Sequence, residues 1–234
     1  MAEKLLFSNK GRLLHLEYAG DAIKMGSTLI GLNNDSTIVL IRVKFYDDKR
    51  EEINDGGIIN KLDKKIGCGL SGFTTDGRLL IEKMRRFIKN HNFIFNSNPC
   101  LEHCSKTLRE FSSFVQNCEN NGTFISRPPG VGFLLCGIDY SGTFLFQIDP
   151  LSRCLKKNIS SIGIVRKYAC EALFEGYRKR ISSKEMFILG IRSLGATDTD
   201  QPLEENYEIG FISNSTKKFR KLQKNEIKEI IKNI

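Results

Sequence analysis

Helix-period stretches come in pairs along this chain, set between groups of strand-like runs, and that order constrains the fold more than any other feature. Thr28 to Gly31 and Ile38 to Phe45 are apolar, β-branched runs around Asn33-Asn34-Asp35, so they read as a hairpin. Tyr46 to Gly57 is charged and glycine-containing and reads as a surface loop. Ile58 to Leu62 and Ile66 to Leu70 are short strands on either side of Asp63-Lys64-Lys65. The first helix pair follows. One helix starts at Thr74, with Thr75 or Asp76 as its cap, and turns Leu80, Met84, Phe87 and Ile88 inward. Past Asn96-Ser97-Asn98-Pro99, the second runs from Leu101 to Cys118, with Leu101, Cys104, Leu108, Phe111, Val115 and Cys118 on one face. Val131 to Ile138 and Thr143 to Ile148 are strands joined by Asp139-Tyr140-Ser141-Gly142, and Cys154 to Ile159 adds another. The second helix pair is Val165 to Ile181, then a helix capped by Ser182 or Ser183 and closed by Gly195. A strand, Tyr207 to Ile212, and a short amphipathic helix, Glu226 to Ile234, complete the pattern. A doubly wound parallel sheet would carry one helix after each strand. Paired helices fit two antiparallel sheets covered by two helical layers.

The stretch Gly11 to Gly31 stands before this pattern. It reads as a helix running into a strand, with Gly26 at the joint. The helix carries two apolar stripes: Leu13, Leu16 and Ile23 on one, and Leu14, Tyr18, Ala22 and Met25 on the other. A surface helix needs one stripe for its own core. The second is either a surface for a partner or the mark of a helix sunk deeper in its own domain. Gly20, inside the helix, costs roughly 1 kcal/mol against alanine and allows a neighbour to come close.

These residues carry a resemblance. Phe7-Ser8-Asn9-Lys10-Gly11-Arg12-Leu13, Glu17-Tyr18-Ala19 and Ala22-Ile23-Lys24-Met25-Gly26-Ser27-Thr28 closely resemble the opening of proteasome alpha-type subunits. Ile66 to Gly72, Ser126-Arg127-Pro128-Pro129-Gly130-Val131, Leu145 to Pro150 and Ile162-Gly163 match further landmarks of that family in order. The end of the chain, Lys224 to Ile234, is most similar to the alpha type-5 member. The resemblance implies a four-layer αββα sandwich, shared with N-terminal-nucleophile hydrolases, as a single domain over residues 1–234. Residues 1–10 would be a short tail and 11–25 the N-terminal helix. It implies a non-catalytic subunit of the 20S core particle, in a heteroheptameric alpha ring that gates substrates and docks activators or a regulatory particle. The implied partners are other alpha subunits and the beta ring. The implied interface residues are Arg12, Leu13, Leu16, Glu17, Tyr18 and Ile23, and the implied location is cytoplasm and nucleus.

Three departures qualify the match. His15 stands where glutamine is usual. The family's activator-pocket lysine falls on Ile58, with Lys61 present but out of register, which puts docking of activator tails beside this subunit in doubt. The Tyr-Asp-Arg gate motif has no counterpart, since its tyrosine would fall before Met1. The expectation is therefore a small contribution to closing the pore.

Other chemistries find little support. Thr28 aligns with the nucleophile of the catalytic beta subunits, with Lys44 the nearby lysine. Its nitrogen is a peptide amide, however, and cannot act as the base. A self-standing N-terminal-nucleophile hydrolase stays as the alternative only if the chain is cleaved before Thr28. The seven cysteines, odd in number and without a CxxC pair, read as reduced thiols. Cys100, His103 and Cys104 fall short of four zinc ligands, and His15 and His91 stand alone. No cofactor motif is present, and no run approaches a membrane span. The net charge of +9 is dispersed, the densest cluster being Lys217, Lys218, Arg220, Lys221 and Lys224. Without an accompanying RNA- or DNA-binding fingerprint it reads as a solvated face.

Overall fold

The computed structural model describes residues 8, 10–44, 57–112, 127–149, 151, 153–195 and 206–232. The expected loop at Tyr46, the far half of the helix ending at Cys118 and the tail before Ser8 lie outside the described residues.

Helix α1 (Leu14–Met25) leads into β1 (Leu29–Asn33) and β2 (Thr37–Val43). Then come β3 (Ile59–Asp63), β4 (Ile66–Gly72), α2 (Thr74–Phe95) and α3 (Leu101–Ser112). Strands β5 (Val131–Asp139), β6 (Gly142–Ile148), β7 (Cys154–Lys156) and β8 (Ile159–Ile162) follow. The chain closes with α4 (Arg166–Gly176), α5 (Ser183–Gly195), β9 (Tyr207–Ser213), β10 (Arg220–Lys221) and α6 (Lys224–Ile231). The strands form two five-stranded sheets, ordered β10-β9-β2-β1-β8 and β3-β4-β5-β6-β7, with every pairing antiparallel.

Three apolar clusters stack through the molecule, as a four-layer sandwich requires. On β5, Val131, Phe133 and Leu135 face α2 and α3, where they meet Leu80, Met84 and Leu108. The alternate residues Leu134, Cys136 and Ile138 face the other sheet, against Leu29, Ile38 and Leu40. On that second sheet Ile30, Leu32, Val39 and Ile41 point outward to Ala169, Leu173, Met186 and Ile191 of α4 and α5. Strands buried on both faces give continuous apolar runs rather than alternation, which is why β1, β2 and β5 read so plainly.

The turn between β1 and β2 is built by asparagine chemistry. Asp35 takes φ 65, and Asn34 Oδ1 accepts the Thr37 amide at 2.7 Å. The capping box of α5 is reciprocal: Ser182 N–H donates to Glu185 and the Glu185 amide to Ser182 Oγ.

Four expectations change. Cys154 to Ile159 is not one strand. β7 pairs with β6 at the edge of one sheet, and β8 pairs with β1 at the edge of the other. Residues 157–158 cross between them, with the Asn158 carbonyl accepting the Asn33 amide at 2.8 Å. Neither Thr75 nor Asp76 caps α2, whose N-cap is Phe73. Asp76 instead takes both Arg127 guanidinium nitrogens, at 2.7 and 3.0 Å, and the Gly130 amide at 3.0 Å. Helix α4 stops at Gly176, not Ile181. The basic cluster near the end hides strand β10, where Arg220 pairs with Glu226 at 2.8 Å and Lys221 with Glu208 at 2.5 Å.

Candidate functional site

The open end of the sandwich, where β1 begins, is closed by α1, and the residues expected to act there can now be placed. The polypeptide turns at Ser8, whose Oγ accepts the Arg12 amide at 3.0 Å, and Gly11 supplies φ 72. Arg12 Nε donates to Glu17 Oε1 at 2.7 Å, and a second guanidinium N–H reaches Oε2, so the pair stiffens the start of α1. The hydrogen bond from Arg12 holds the Glu17 carboxyl below its usual range.

Only part of α1 is spent on its own chain. Ala19 and Ile23 are buried, each at 6% exposure, and Ile23 packs into the cluster between the sheets. Ile23, one of the expected interface residues, is therefore a core anchor of its own chain. Ala19 was not distinguished by spacing, because a small residue flanked by larger ones gives a weak periodic signal. Leu13, Leu14 and Leu16 are half-buried. Tyr18 and Met25 remain 63% and 81% exposed. Next to this ridge lies Phe73, 53% exposed, with the Arg127 guanidinium 5.2 Å from its ring centre. On the other flank a groove of about 430 Å³ runs between α1 and the ends of β6 and β8, with Leu16, Gly20 and Ile148 in its walls. Nothing in the chain comes within 4 Å of where a Gly20 side chain would begin.

The C-terminal end of α1 is clamped tightly. Ser71 Oγ, fully buried, lies within hydrogen-bond reach of the Ser27 carbonyl at 2.9 Å and the Ile23 carbonyl at 3.2 Å. Thr28 follows, 2% exposed. Its hydroxyl accepts the Val165 amide at 3.1 Å, and the Ile164 amide donates to the Gly26 carbonyl at 3.0 Å. The turn at Gly163 therefore lies over this segment. A side chain at Gly163, φ 105, would meet the Ser27 carbonyl oxygen at 2.4 Å. The strand register sets Leu29 opposite Arg42; continued, it sets Lys44 level with Ser27 rather than Thr28. Thr28→Val is expected to cost about 1 kcal/mol by leaving the part-buried Val165 amide without its acceptor. Thermal melting of the variant checks this, and an unchanged midpoint would contradict it.

Among the described residues no three of His, Cys, Asp and Glu converge as a metal cluster, and no helix is long and apolar enough to cross a membrane. The six described cysteines are free. Burial pushes the Cys68 and Cys104 thiols up to about 12, so they are protonated packing groups.

The profile of the family described as proteasome subunit matches residues 23–212 of this chain, a stretch that runs from α1 to β9. The chain belongs to the proteasome subunit family. Among proteasome subunits it is similar to the alpha subunit of Methanosphaerula palustris, 29% identical over 98% of this chain and 93% of that one. It is also similar to the alpha type-5 subunits of Drosophila melanogaster, 30% identical over 97% and 94%, and of Trypanosoma brucei brucei, 28% identical over 96% and 92%. Ile58, which the resemblance set at the activator-pocket position, is part of the core here. Ile58 is 2% exposed in the core, and its amide donates to Glu208 at 3.3 Å. Lys61 is exposed, and its carbonyl takes two Arg85 nitrogens.

Proposed function

We propose that this chain is a structural, non-catalytic alpha subunit of the 20S core particle, standing in a heteroheptameric ring with other alpha subunits and stacked on the beta ring. In this reading the ring controls passage of substrates and receives activators or a regulatory particle, in cytoplasm and nucleus. The observation that carries it is α1. The helix fills the end of the sandwich where a self-standing hydrolase of this fold would keep its nucleophile open. It also presents Leu13, Leu16 and Tyr18, flanked by the Arg12–Glu17 pair, to a neighbour. The open space over Gly20 supports close approach of that neighbour.

Thr28 supports the non-catalytic assignment. A hydroxyl that is 2% exposed and already accepts an amide proton has neither the access nor the free terminal amine that the nucleophile needs. The purified full-length chain is expected to hydrolyse no peptide. Hydrolysis abolished by Thr28→Ala would instead establish the hydrolase alternative.

Assembly gives the direct test. Leu16→Asp puts a charge where apolar contact is expected, and it should shift the chain out of the high-mass fraction. Tyr18→Ala, on a side chain mostly in solvent, should weaken assembly while leaving the melting of the isolated chain unchanged. Normal co-migration of both variants with the large complex would sink the proposal.

A further inference from the structure

The outer side of the α2–α3 pair holds a ring cluster separate from the α1 surface described above. Phe87, His91 and Phe95 lie along α2, and His103 lies near the start of α3. The Phe87 and His103 rings meet edge-on at 5.1 Å, and the His91 and Phe95 rings lie 4.6 Å apart. The two imidazole centres are 5.9 Å apart, so His91 does not stand alone as its sequence position implies. His91 Nδ1 lies 2.9 Å from the Ser97 carbonyl oxygen. A carbonyl only accepts, so Nδ1 carries the proton and the lone pair of the neutral ring sits on Nε2. A histidine poised as a metal ligand has this arrangement, with one nitrogen tied to a carbonyl and the other free. His103 is exposed and makes no hydrogen bond among the described residues.

We propose that His91 and His103 form a two-imidazole site for a divalent cation of the imidazole-preferring class, zinc, nickel or copper(II), with water completing the shell. Two imidazoles sharing one ion at about 2.0–2.1 Å set their ring centres roughly 5 Å apart, so the pair closes by about an ångström through a side-chain movement of exposed His103. Cys104 is not a ligand, because it is fully buried in the core under α3. With two protein ligands the site is weak beside a four-ligand zinc centre, and it ranks metals by the ordinary divalent series, with copper(II) above nickel and manganese last. A bound ion ties the end of α2 to the start of α3 across the loop at residues 96–100.

The test is equilibrium dialysis of the full-length chain, thiols alkylated, against nickel(II) at pH 7.5, with magnesium as the control ion. One nickel per chain is expected, with none for magnesium. His91→Ala and His103→Ala should each weaken binding at least about tenfold, since even partners one shell further out cost ~10–100-fold. His15→Ala, on α1, should bind as the parent does, and thermal melting verifies that each variant is folded. Lowering the pH to 5.5 should weaken binding, because protons compete with the metal for the imidazole nitrogens. Undiminished binding by the His91→Ala, His103→Ala double variant would overturn the proposal, as would the absence of any nickel binding by the parent chain.

Discussion

Gly26→Ala is expected to lower the melting midpoint of the chain by roughly 10 °C. The backbone at Gly26 is ordinary, with φ −76 and ψ 166, so conformational strain is not the reason. A methyl group there would sit 2.2 Å from the Gly72 nitrogen, 2.5 Å from Ser71 Oγ and 2.9 Å from the Gly72 Cα. Two of those three atoms are backbone, and Gly72 itself has φ 112, with the Gly130 carbonyl oxygen 2.2 Å from where a Gly72 side chain would begin. Neither side can step aside without dragging α1 off β4. Overpacking of this kind costs ~1–3 kcal/mol and occasionally more, and in a domain of this size each kcal/mol lowers the melting midpoint by about 2–4 °C. Gly20→Ala, six residues earlier on the same helix, should do the opposite. It meets open space and gains up to about 1 kcal/mol of helix propensity, raising the midpoint of the isolated chain. If Gly20→Ala then lowers incorporation into the large complex, the loss belongs to the neighbour and not to the fold. A Gly26→Ala chain that melts with the parent would refute the clamp.

Glu208→Gln is the second large effect. Glu208 on β9 receives Arg42 from β2 at 3.2 Å and Lys221 from β10 at 2.5 Å, and its partner Arg42 is only 3% exposed. One carboxylate therefore joins three strands, and it also accepts the Ile58 amide ahead of β3. Removing one partner of a buried ion pair costs ~3–5 kcal/mol, so a drop of roughly 10 °C is expected at pH 7. The variant should also change the pH dependence. Burial alone would raise the Glu208 carboxyl, but Lys221 and then Arg42 outweigh it and hold the group below its usual range. A group depressed in the folded state adds stability above its unfolded pKa, about 4.3 for glutamate. That stability is lost as pH falls from there through the folded value. Denaturant titrations at pH 7, 5 and 4 should show the parent losing more stability than Glu208→Gln over the last step. Parallel losses in both chains would contradict this account.

Much of this architecture could be read from residue order. Strands buried on both faces leave unbroken apolar runs, and the β1–β2 and β5–β6 turns are written in asparagine, aspartate and glycine. What resisted reading was what distant segments do to one another. The split at residues 157–158 is hard to see locally, because only two residues separate β7 from β8 and what divides them is which sheet receives each. Asp76 looked like a cap because its binding partners, Arg127 and the Gly130 amide, lie more than fifty residues away in sequence. The same holds for Glu208 with Arg42 and for the meeting of His91 and His103. At the candidate interface, the apolar stripes of α1 could be found by spacing. Which of them turns inward is decided by Ile23 packing between the sheets, a fact of the closed sandwich.

The strand order also sets a timetable. All five strands β3 to β7, with both helices that cover them, lie between Ile59 and Lys156. The opposite sheet takes β1 and β2 from the start of the chain but needs β8, β9 and β10, the last ending at Lys221. During synthesis the first half-sandwich can therefore close while its counterpart is still two strands and an edge short. Through that interval the outward faces of β1 and β2, with Ile30, Leu32, Val39 and Ile41, await the helices that will cover them. The long loop that must be closed to pair β2 with β9 makes this the slow step, and the nascent hairpin carries the aggregation hazard until β9 arrives.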